Sequence, residues 1–298
     1  MKYLLPILIL ISVVSCKKKG CTDENAQNYN SKAKKDDGSC TYPTPTTYVI
    51  PSTYSFTDGS GMSTVSYSGQ VERLNQMREI VSYMKTGTTT ALSVQQLDDM
   101  FSNTNGNANG AFSFTSTKQL RNKCFELDQT LFDGFFDSIA VNSAHFADTA
   151  ANGKSGVLSS LEGSSSYLFN SNGIEYGQVI EKGIMGAVFM NQALNSYFSP
   201  EKMNVDNTNL VSGKNYTVMQ HHWDEAFGYF GVETSFPSVI PSDFWGKYSN
   251  KLNVKLNSNA TIMDNFLKGR AAIDNGNTAD RDLAISEIRT MWEKLAAH

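Results

Sequence analysis

Apolar residues recur every three or four positions through most of the chain, and this spacing most constrains the fold. Between residues 71 and 84 the apolar side chains occupy one face of a helix, and Gly87 offers a stop. Ser93 is expected to cap the N-terminus of a short second helix. Strand signals are confined to residues 48–56 and 63–67. The same helical period predicts further helices at about 116–141, 176–198, 215–229, 241–251, 260–275 and 279–297. The sequence therefore predicts an all-α body.

The first fifteen residues have the pattern of an export signal. Lys2 precedes a run of apolar residues from Tyr3 to Val14, interrupted by Pro6 and shorter than the roughly 20 residues that a membrane-spanning helix needs. Small and apolar residues directly before Cys16 are typical of a bacterial lipoprotein signal, in which Cys16 becomes the lipidated first residue of the mature chain. The alternative is an ordinary secretory signal with an incidental cysteine.

Lipidation would anchor the protein to a membrane. The residues that follow Cys16, Lys17 to Lys19, are basic, which favours retention facing the periplasm. The predicted location is therefore the cell envelope, with a lipid anchor in the outer membrane and the body facing the periplasm.

Charge argues against nucleic acid as a partner. The 298 residues include 29 acidic and 25 basic ones, a net charge of −4, and no basic stripe is present to neutralise phosphates. With 40% hydrophobic residues the chain can bury a large core. We therefore expect a globular protein.

The remaining three cysteines are predicted to play two roles. Cys21 and Cys40 bracket a short polar segment and are expected to form a disulfide in an exported chain, whereas Cys124 lies in an apolar pattern and is expected to be a buried thiol. The segment resembles a small cysteine-bounded module of Bacteroidetes surface proteins. Its Asp and Asn oxygens suit Ca²⁺, but their spacing differs from an EF-hand loop, and a disulfide-clipped spacer is the alternative. A stiff Pro/Thr linker at 43–47 follows.

One cluster of polar residues has the composition of a ligand or metal site. On a helix, His222 lies three residues and His221 four residues before Glu225, so either histidine can share a face with that carboxylate. Imidazole and carboxylate suit a divalent transition metal such as iron or zinc, with His222 and Glu225 as ligands and His221 and Asp224 as additional candidates. The alternative is a structural hydrogen bond that links helices of the bundle.

Catalytic motifs are incomplete. A zinc hydrolase needs three protein ligands, and neither His-Glu-x-x-His nor His-x-x-Glu-His occurs, since Ala226 follows Glu225. His145 is a weak candidate for a third ligand and the terminal His298 a weaker one. The chain also lacks a Gly-x-Ser-x-Gly elbow and a phosphate-binding loop. A metallopeptidase is therefore the alternative hypothesis, and no residue is assigned as catalytic.

Three motifs carry a resemblance to known families. Over about residues 48–298 the chain resembles a family of Bacteroidetes lipoproteins, domain of unknown function 4856. The motifs that carry this resemblance are Tyr67-Ser68-Gly69-Gln70-Val71-Glu72-Arg73-Leu74, Lys182-Gly183-Ile184-Met185-Gly186-Ala187 and His222-Trp223-Asp224-Glu225-Ala226-Phe227-Gly228-Tyr229. The His-x-x-Glu of His222 and Glu225 is similar, more distantly, to that of the imelysin-like envelope proteins. That resemblance implies a helical bundle, a connection with iron uptake and a transport partner in the envelope or outer membrane.

These observations predict a signal peptide at 1–15, a lipidated tether at 16–47 and an imelysin-like helical-bundle domain at 48–298. Members of the resembled family continue into further helices, so the domain is expected to be truncated at its C-terminus. The predicted function is the binding of a metal ion or small ligand by a lipid-anchored envelope protein without enzymatic activity. A metallopeptidase and a purely structural interaction module are the alternatives.

Overall fold

The described residues form two compact units, one before residue 43 and one from Tyr48 to His298. The structure is a computed structural model that describes residues 18–24, 26–42 and 48–298. The predicted signal peptide, Cys16 and the Pro/Thr linker at 43–47 lie outside the described residues. Within the described parts, no helix is long and apolar enough to cross a membrane.

The first unit is held by a disulfide between Cys21 and Cys40, as the sequence predicted. Its described residues form turns and a single bridge between Lys19 and Lys35. Asp side chains cap several of these turns; Asp36 and Asp37 accept hydrogen bonds from backbone amides two residues further along. Such local capping is typical of a short segment that builds its own turns.

The main unit is mainly helical, in agreement with the predicted fold class. Its one small sheet in the described residues is an antiparallel hairpin of β1 (Gly156–Ser159) and β2 (Ser166–Phe169). The α-helices are α1 (Ser68–Thr86), α2 (Val94–Ser102), α3 (Gln129–Ser143), α4 (Tyr176–Ile184), α5 (Pro200–Met203), α6 (Val218–Phe230), α7 (Phe244–Leu256), α8 (Ser258–Asp274) and α9 (Thr278–Ala297).

The core is built around α6, which is apolar on most of its circumference. Trp223, Phe227 and Phe230 on this helix are fully buried. The Phe227 ring stacks on Tyr54 with centroids 3.7 Å apart, and Phe230 meets Trp292 of α9 edge to face at 4.9 Å. Burial of such rings removes a large apolar area from water, which stabilises the bundle. The core thereby fixes α6 and the polar side chains that it carries.

Two segments differ from the sequence prediction. The helix expected at 116–141 begins only at Gln129; short 3-10 turns at Arg121–Lys123 and Glu126–Asp128 precede it. Leu127 is 79% exposed, so the apolar spacing there does not mark one buried face. The strands expected at 48–56 and 63–67 reduce to one bridge between Thr57 and Ser63, and β1 and β2 lie in a Gly- and Ser-rich stretch where no strand was expected.

The helix predicted at 176–198 changes its winding halfway. After α4 it continues as two π-helical stretches, Met185–Met190 and Gln192–Tyr197. Wider winding leaves carbonyls free for outside donors: the Trp245 indole donates to Met185 O at 3.0 Å, and the Phe125 amide to Ala187 O at 2.9 Å. Stretches of this kind often lie at functional sites. Here the second stretch ends at Tyr197, which reaches α6.

Candidate functional site

Helix α6 begins with a capping box, which fixes the residue at which the helix starts. Thr217 Oγ1 accepts from the Gln220 amide at 3.2 Å, and Gln220 Oε1 accepts from the Thr217 amide at 2.7 Å. The helix ends at Gly231, whose φ of 74° is the left-handed conformation that glycine adopts readily. Between these caps, the four residues predicted to form a site face three different surroundings.

Asp224 faces the core. It is fully buried and accepts from Tyr54 Oη at 2.8 Å, from the Ser66 amide at 2.9 Å and from Arg270 Nε at 3.1 Å. Burial raises the pKa of Asp224 to about 6, against the opposing effect of Arg270 and the other donors. The Arg270 guanidinium, itself fully buried, also bonds Thr64 Oγ1 at 2.9 Å. Asp224 thus belongs to an internal ion pair rather than to an open site.

His222 faces the short helix α5. Its Nδ1 lies 2.9 Å from the Lys202 carbonyl oxygen, and its ring lies 6.1 Å from that of Tyr197, centroid to centroid. Burial lowers the pKa of His222 below its ordinary value, although the bond to Lys202 acts against this. The imidazole is therefore neutral at pH 7 and helps to attach α5 to α6.

His221 and Glu225 face an open cavity together. His221 Nε2 lies 3.8 Å from Glu225 Oε2, and His221 Nδ1 lies 2.9 Å from the Ser66 carbonyl oxygen. Glu225 Oε1 accepts from Gln70 Nε2 at 3.1 Å and from Tyr197 Oη at 3.0 Å. The carboxylate is 18% and the imidazole 33% exposed, so both reach solvent through the cavity.

The cavity has a volume of about 340 Å³ and a strongly basic lining, and we call it the basic pocket. Four cationic side chains and one carboxylate line it, a net charge of +3 with His221 neutral, in a chain whose net charge is −4. In the described part of the chain none of these four cations forms an ion pair with a carboxylate. The lining residues are Ser66, Tyr67, Ser68, Gly69, Gln70, Arg73, Lys118, Lys123, Tyr197, Lys214, Tyr216, His221 and Glu225.

Arg73 is the most enclosed of the four cations. It is 6% exposed, and its nitrogens donate to two backbone carbonyls: Nε to Gln119 O at 2.9 Å and Nη1 to Gly69 O at 3.2 Å. Lys123 beside it is half-buried, and burial together with the charge of Arg73 lowers its pKa. A buried cation without a counter-charge is unfavourable unless an anion reaches it. This arrangement attracts an anionic ligand.

The pocket exists because α1 and α6 approach each other closely. A side chain at Gly228 would place its Cβ 2.8 Å from Gln70 Cβ and 2.9 Å from Tyr67 Cβ, so only glycine permits this contact. The first turn of α1 has no side-chain cap: the Gln70 and Val71 amides donate to Tyr67 O, and the preceding Ser68 and Gly69 line the pocket. Lys118 lies across this turn, with its Cε 3.1 Å from where a Cβ of Gly69 would be.

The sequence predicted His221 and Glu225 but missed most of the pocket. Gln70 and Arg73 are buried, and Val71, predicted to be buried, is 40% exposed, so the inward face of α1 is shifted. The two polar residues three positions apart are the signal that could have shown this. Lys118, Lys123, Tyr197 and Lys214 come from separate segments, and their convergence is a property of the fold.

The other histidines stand apart from this site. His145 pairs with Asp148 on the surface at 3.0 Å, and His298 Nδ1 lies 3.5 Å from Lys255 Nζ. Among the described residues, no three His, Cys, Asp or Glu side chains form a group that could hold a metal ion. Metal binding at His222 and Glu225 stays a prediction. Cys124 is a buried free thiol, and burial raises its pKa to about 12.

A second cavity, of about 510 Å³, lies between α1, the hairpin and α4. Its charged lining consists of Lys85 and Lys247 with Glu175 and Glu181, so positive and negative side chains balance. This cavity therefore lacks the charge selectivity of the basic pocket, which is the stronger candidate site.

Comparison with known proteins gives one match. The model of a family described as "Domain of unknown function (DUF4856)" matches residues 51–298, which include α1 to α9 and the basic pocket. No curated protein and no solved structure matches the chain.

Proposed function

The chain belongs to the family of domain of unknown function 4856, and we propose, from the geometry of its pocket, that it binds a small anionic molecule at the surface of a membrane in the cell envelope. The ligand occupies the basic pocket, with its anionic group against Arg73, Lys118, Lys123 and Lys214. The proposed activity is binding, without a chemical step.

One observation carries this proposal: four cations converge on one small cavity, and none of them pairs with a carboxylate among residues 18–24, 26–42 and 48–298. Like charges brought together repel each other, and Arg73 is in addition removed from water. A small anion offsets both costs, and hydrogen bonds between charged groups are stronger than neutral ones. A volume of about 340 Å³ is at the lower end of the range for small-molecule sites, which favours a ligand of few atoms.

The location of the protein is a separate part of the proposal. It rests on the signal sequence and on Cys16, as described above, and lipidation there would place the pocket near a membrane surface. A lipid-anchored binding protein holds its ligand close to the membrane, where a transport protein of the envelope would be its partner.

Isothermal titration of the purified protein with inorganic phosphate, sulfate and malonate tests the binding proposal. We expect one site per chain for at least one of these anions and weaker binding at higher salt. Lys123→Met keeps the length of the side chain and removes its charge, and should weaken binding about tenfold or more, since a charged hydrogen bond contributes about 1.5–3 kcal/mol.

The matched control is Lys294→Met on the exposed face of α9, far along the chain from any lining residue. This variant should bind as the wild type does. If none of the three anions binds at millimolar concentration, or if Lys123→Met binds them as tightly as Lys294→Met, the proposal is wrong.

A further inference from the structure

His221 Nε2 and Glu225 Oε2 lie side by side at the basic pocket, and both can accept a hydrogen bond when the imidazole ring is neutral. A carbonyl oxygen can only accept, so His221 Nδ1, 2.9 Å from the Ser66 carbonyl, carries the proton of the neutral ring. This assignment leaves Nε2 as an acceptor. Its neighbour Glu225 Oε2 is 3.8 Å away, too far for a direct hydrogen bond.

The other oxygen of the carboxylate is already satisfied. Glu225 Oε1 accepts from both Gln70 and Tyr197, at 3.1 and 3.0 Å, and these bonds hold the carboxylate in place. Oε2 therefore keeps its accepting capacity, and together with His221 Nε2 it forms a fixed pair of acceptors at one end of the pocket. A ligand atom that carries a hydrogen can bond to this pair.

The charge of the pocket decides which kind of donor fits. An ammonium group would meet four cations, whereas a hydroxyl group is neutral and can donate to one acceptor while it accepts from a neighbouring donor. The cations in turn favour a doubly charged anion over a singly charged one, because a net charge of +3 attracts a dianion more strongly. Ser68 and Gly69 at the start of α1 line the pocket, and amides at a helix N-terminus are donors of the kind that bind phosphate.

We propose that the ligand of the basic pocket is a phosphorylated polyol, a phosphate monoester that carries a free hydroxyl group. The phosphate lies against Arg73 and the three lysines, and the hydroxyl group bonds His221 Nε2 and Glu225 Oε2. This inference rests on the proposed anion binding and adds the class of the ligand.

Titration of the whole protein with glycerol 3-phosphate, n-propyl phosphate, inorganic phosphate and glycerol tests the ligand class. Propyl phosphate has the size and charge of glycerol phosphate without its hydroxyl groups. We expect glycerol phosphate to bind at least tenfold more tightly than propyl phosphate, because a site built to bond a hydroxyl group discriminates against a ligand that lacks it. Glycerol alone should not bind measurably.

The variant Glu225→Gln gives a second test, because it should keep phosphate binding and lose the preference for a ligand with a hydroxyl group. Glutamine keeps the shape of the side chain and removes the negative charge beside the anion, so inorganic phosphate should bind as tightly as to the wild type or more tightly. The preference for glycerol phosphate over propyl phosphate should fall to less than threefold. Glu162→Gln on an exposed loop is the matched control and should keep the full preference.

The two proposals fail in different ways. If phosphate and both monoesters bind but the wild type does not distinguish them, the ligand class is wrong and anion binding stands. A preference that survives in Glu225→Gln also overturns the assignment of the hydroxyl group. If no anion binds, including phosphate, sulfate and malonate, the proposed function itself is wrong.

Discussion

At the scale of single residues, α6 shows how neighbours in sequence come to have unrelated roles. Successive residues on a helix point about 100° apart, so His221, His222 and Asp224 face the pocket, α5 and the core respectively. Only Glu225, four residues after His221, shares a surface with it. The identity of a side chain and its spacing predicted a polar cluster, and the packing of α6 divides that cluster into three separate environments.

The ion pair of Asp224 and Arg270 should be the most sensitive polar contact of the core. Both side chains are 0% exposed. Removal of Asp224 leaves Arg270 with Asp274 as its remaining carboxylate partner and leaves Tyr54 Oη and the Ser66 amide without their acceptor. We expect Asp224→Ala to lower the free energy of unfolding by about 3–5 kcal/mol and a paired replacement with Arg270→Met to recover part of the loss. Urea unfolding followed by circular dichroism measures both. Asp148→Ala, which breaks the exposed pairs with His145 and Lys154, is the control and should change stability little.

His222 should make stability depend on pH. Burial lowers its native-state pKa, whereas the unfolded chain titrates near the ordinary value of about 6.5. Between these two values the unfolded state binds more protons, so stability should fall as the pH is lowered through 6.5 towards the native pKa and then level off. In His222→Gln this part of the decline should be absent. Parallel unfolding curves of the two proteins between pH 8 and pH 5 would contradict the assignment of His222 as a buried neutral side chain.

At the scale of helices and strands, periodicity predicted those elements whose stripe faces the core. The helices at 215–229, 260–275 and 279–297 lie within a few residues of α6, α8 and α9. The prediction of a helix before Gln129 was wrong because the apolar residues of that segment face different surroundings: Leu120 is buried and Leu127 is exposed. Nothing local marks the change to π-helical winding after Ile184, since the donors that stabilise it, such as the indole of Trp245, come from distant segments.

The candidate site, like the helices, could be predicted only in part from the sequence. The spacing of His221 and Glu225 on a helix identified one wall of the pocket. The opposite wall depends on the close approach of α1, which Gly228 permits, and on Lys118 and Lys123 in a segment without a regular period. Convergence of this kind depends on tertiary packing, which a spacing rule within one segment does not contain.

Alanine substitutions at two helical glycines should therefore differ in their effect on stability. A Cβ at Gly228 would lie 2.8 Å from Gln70 Cβ, so Gly228→Ala should separate α1 from α6 and destabilise the protein by about 1–3 kcal/mol. A Cβ at Gly134 in α3 meets nothing within 4 Å, so Gly134→Ala should be neutral or stabilise by up to about 1 kcal/mol through helix propensity alone. Thermal unfolding of the two variants compares them directly, and equal effects would contradict the close contact of α1 and α6.

At the scale of the whole molecule, the two units have different means of stabilisation. The described part of the first unit has few buried apolar residues and is closed by the disulfide of Cys21 and Cys40, as small exported segments often are. The main unit has a large aromatic core and a single buried free thiol, Cys124. A short disulfide-closed segment before a helical domain is the organisation expected if the N-terminus serves to hold the domain at a membrane.

Membrane attachment through Cys16 is the prediction that tests this organisation. The apolar run before Cys16 is too short to span a membrane, and the residues directly before that cysteine are typical of a lipoprotein signal, so acyl chains on Cys16 are the proposed membrane anchor. We expect the wild type to incorporate a fatty-acid label and to partition into the detergent phase. Cys16→Ala should lose the label and move to the aqueous phase with its helical circular dichroism spectrum intact. Cys21→Ala removes another cysteine of the same tether and should keep both the label and the membrane fraction; a Cys16→Ala protein that stays with the membrane would show that another segment anchors the chain.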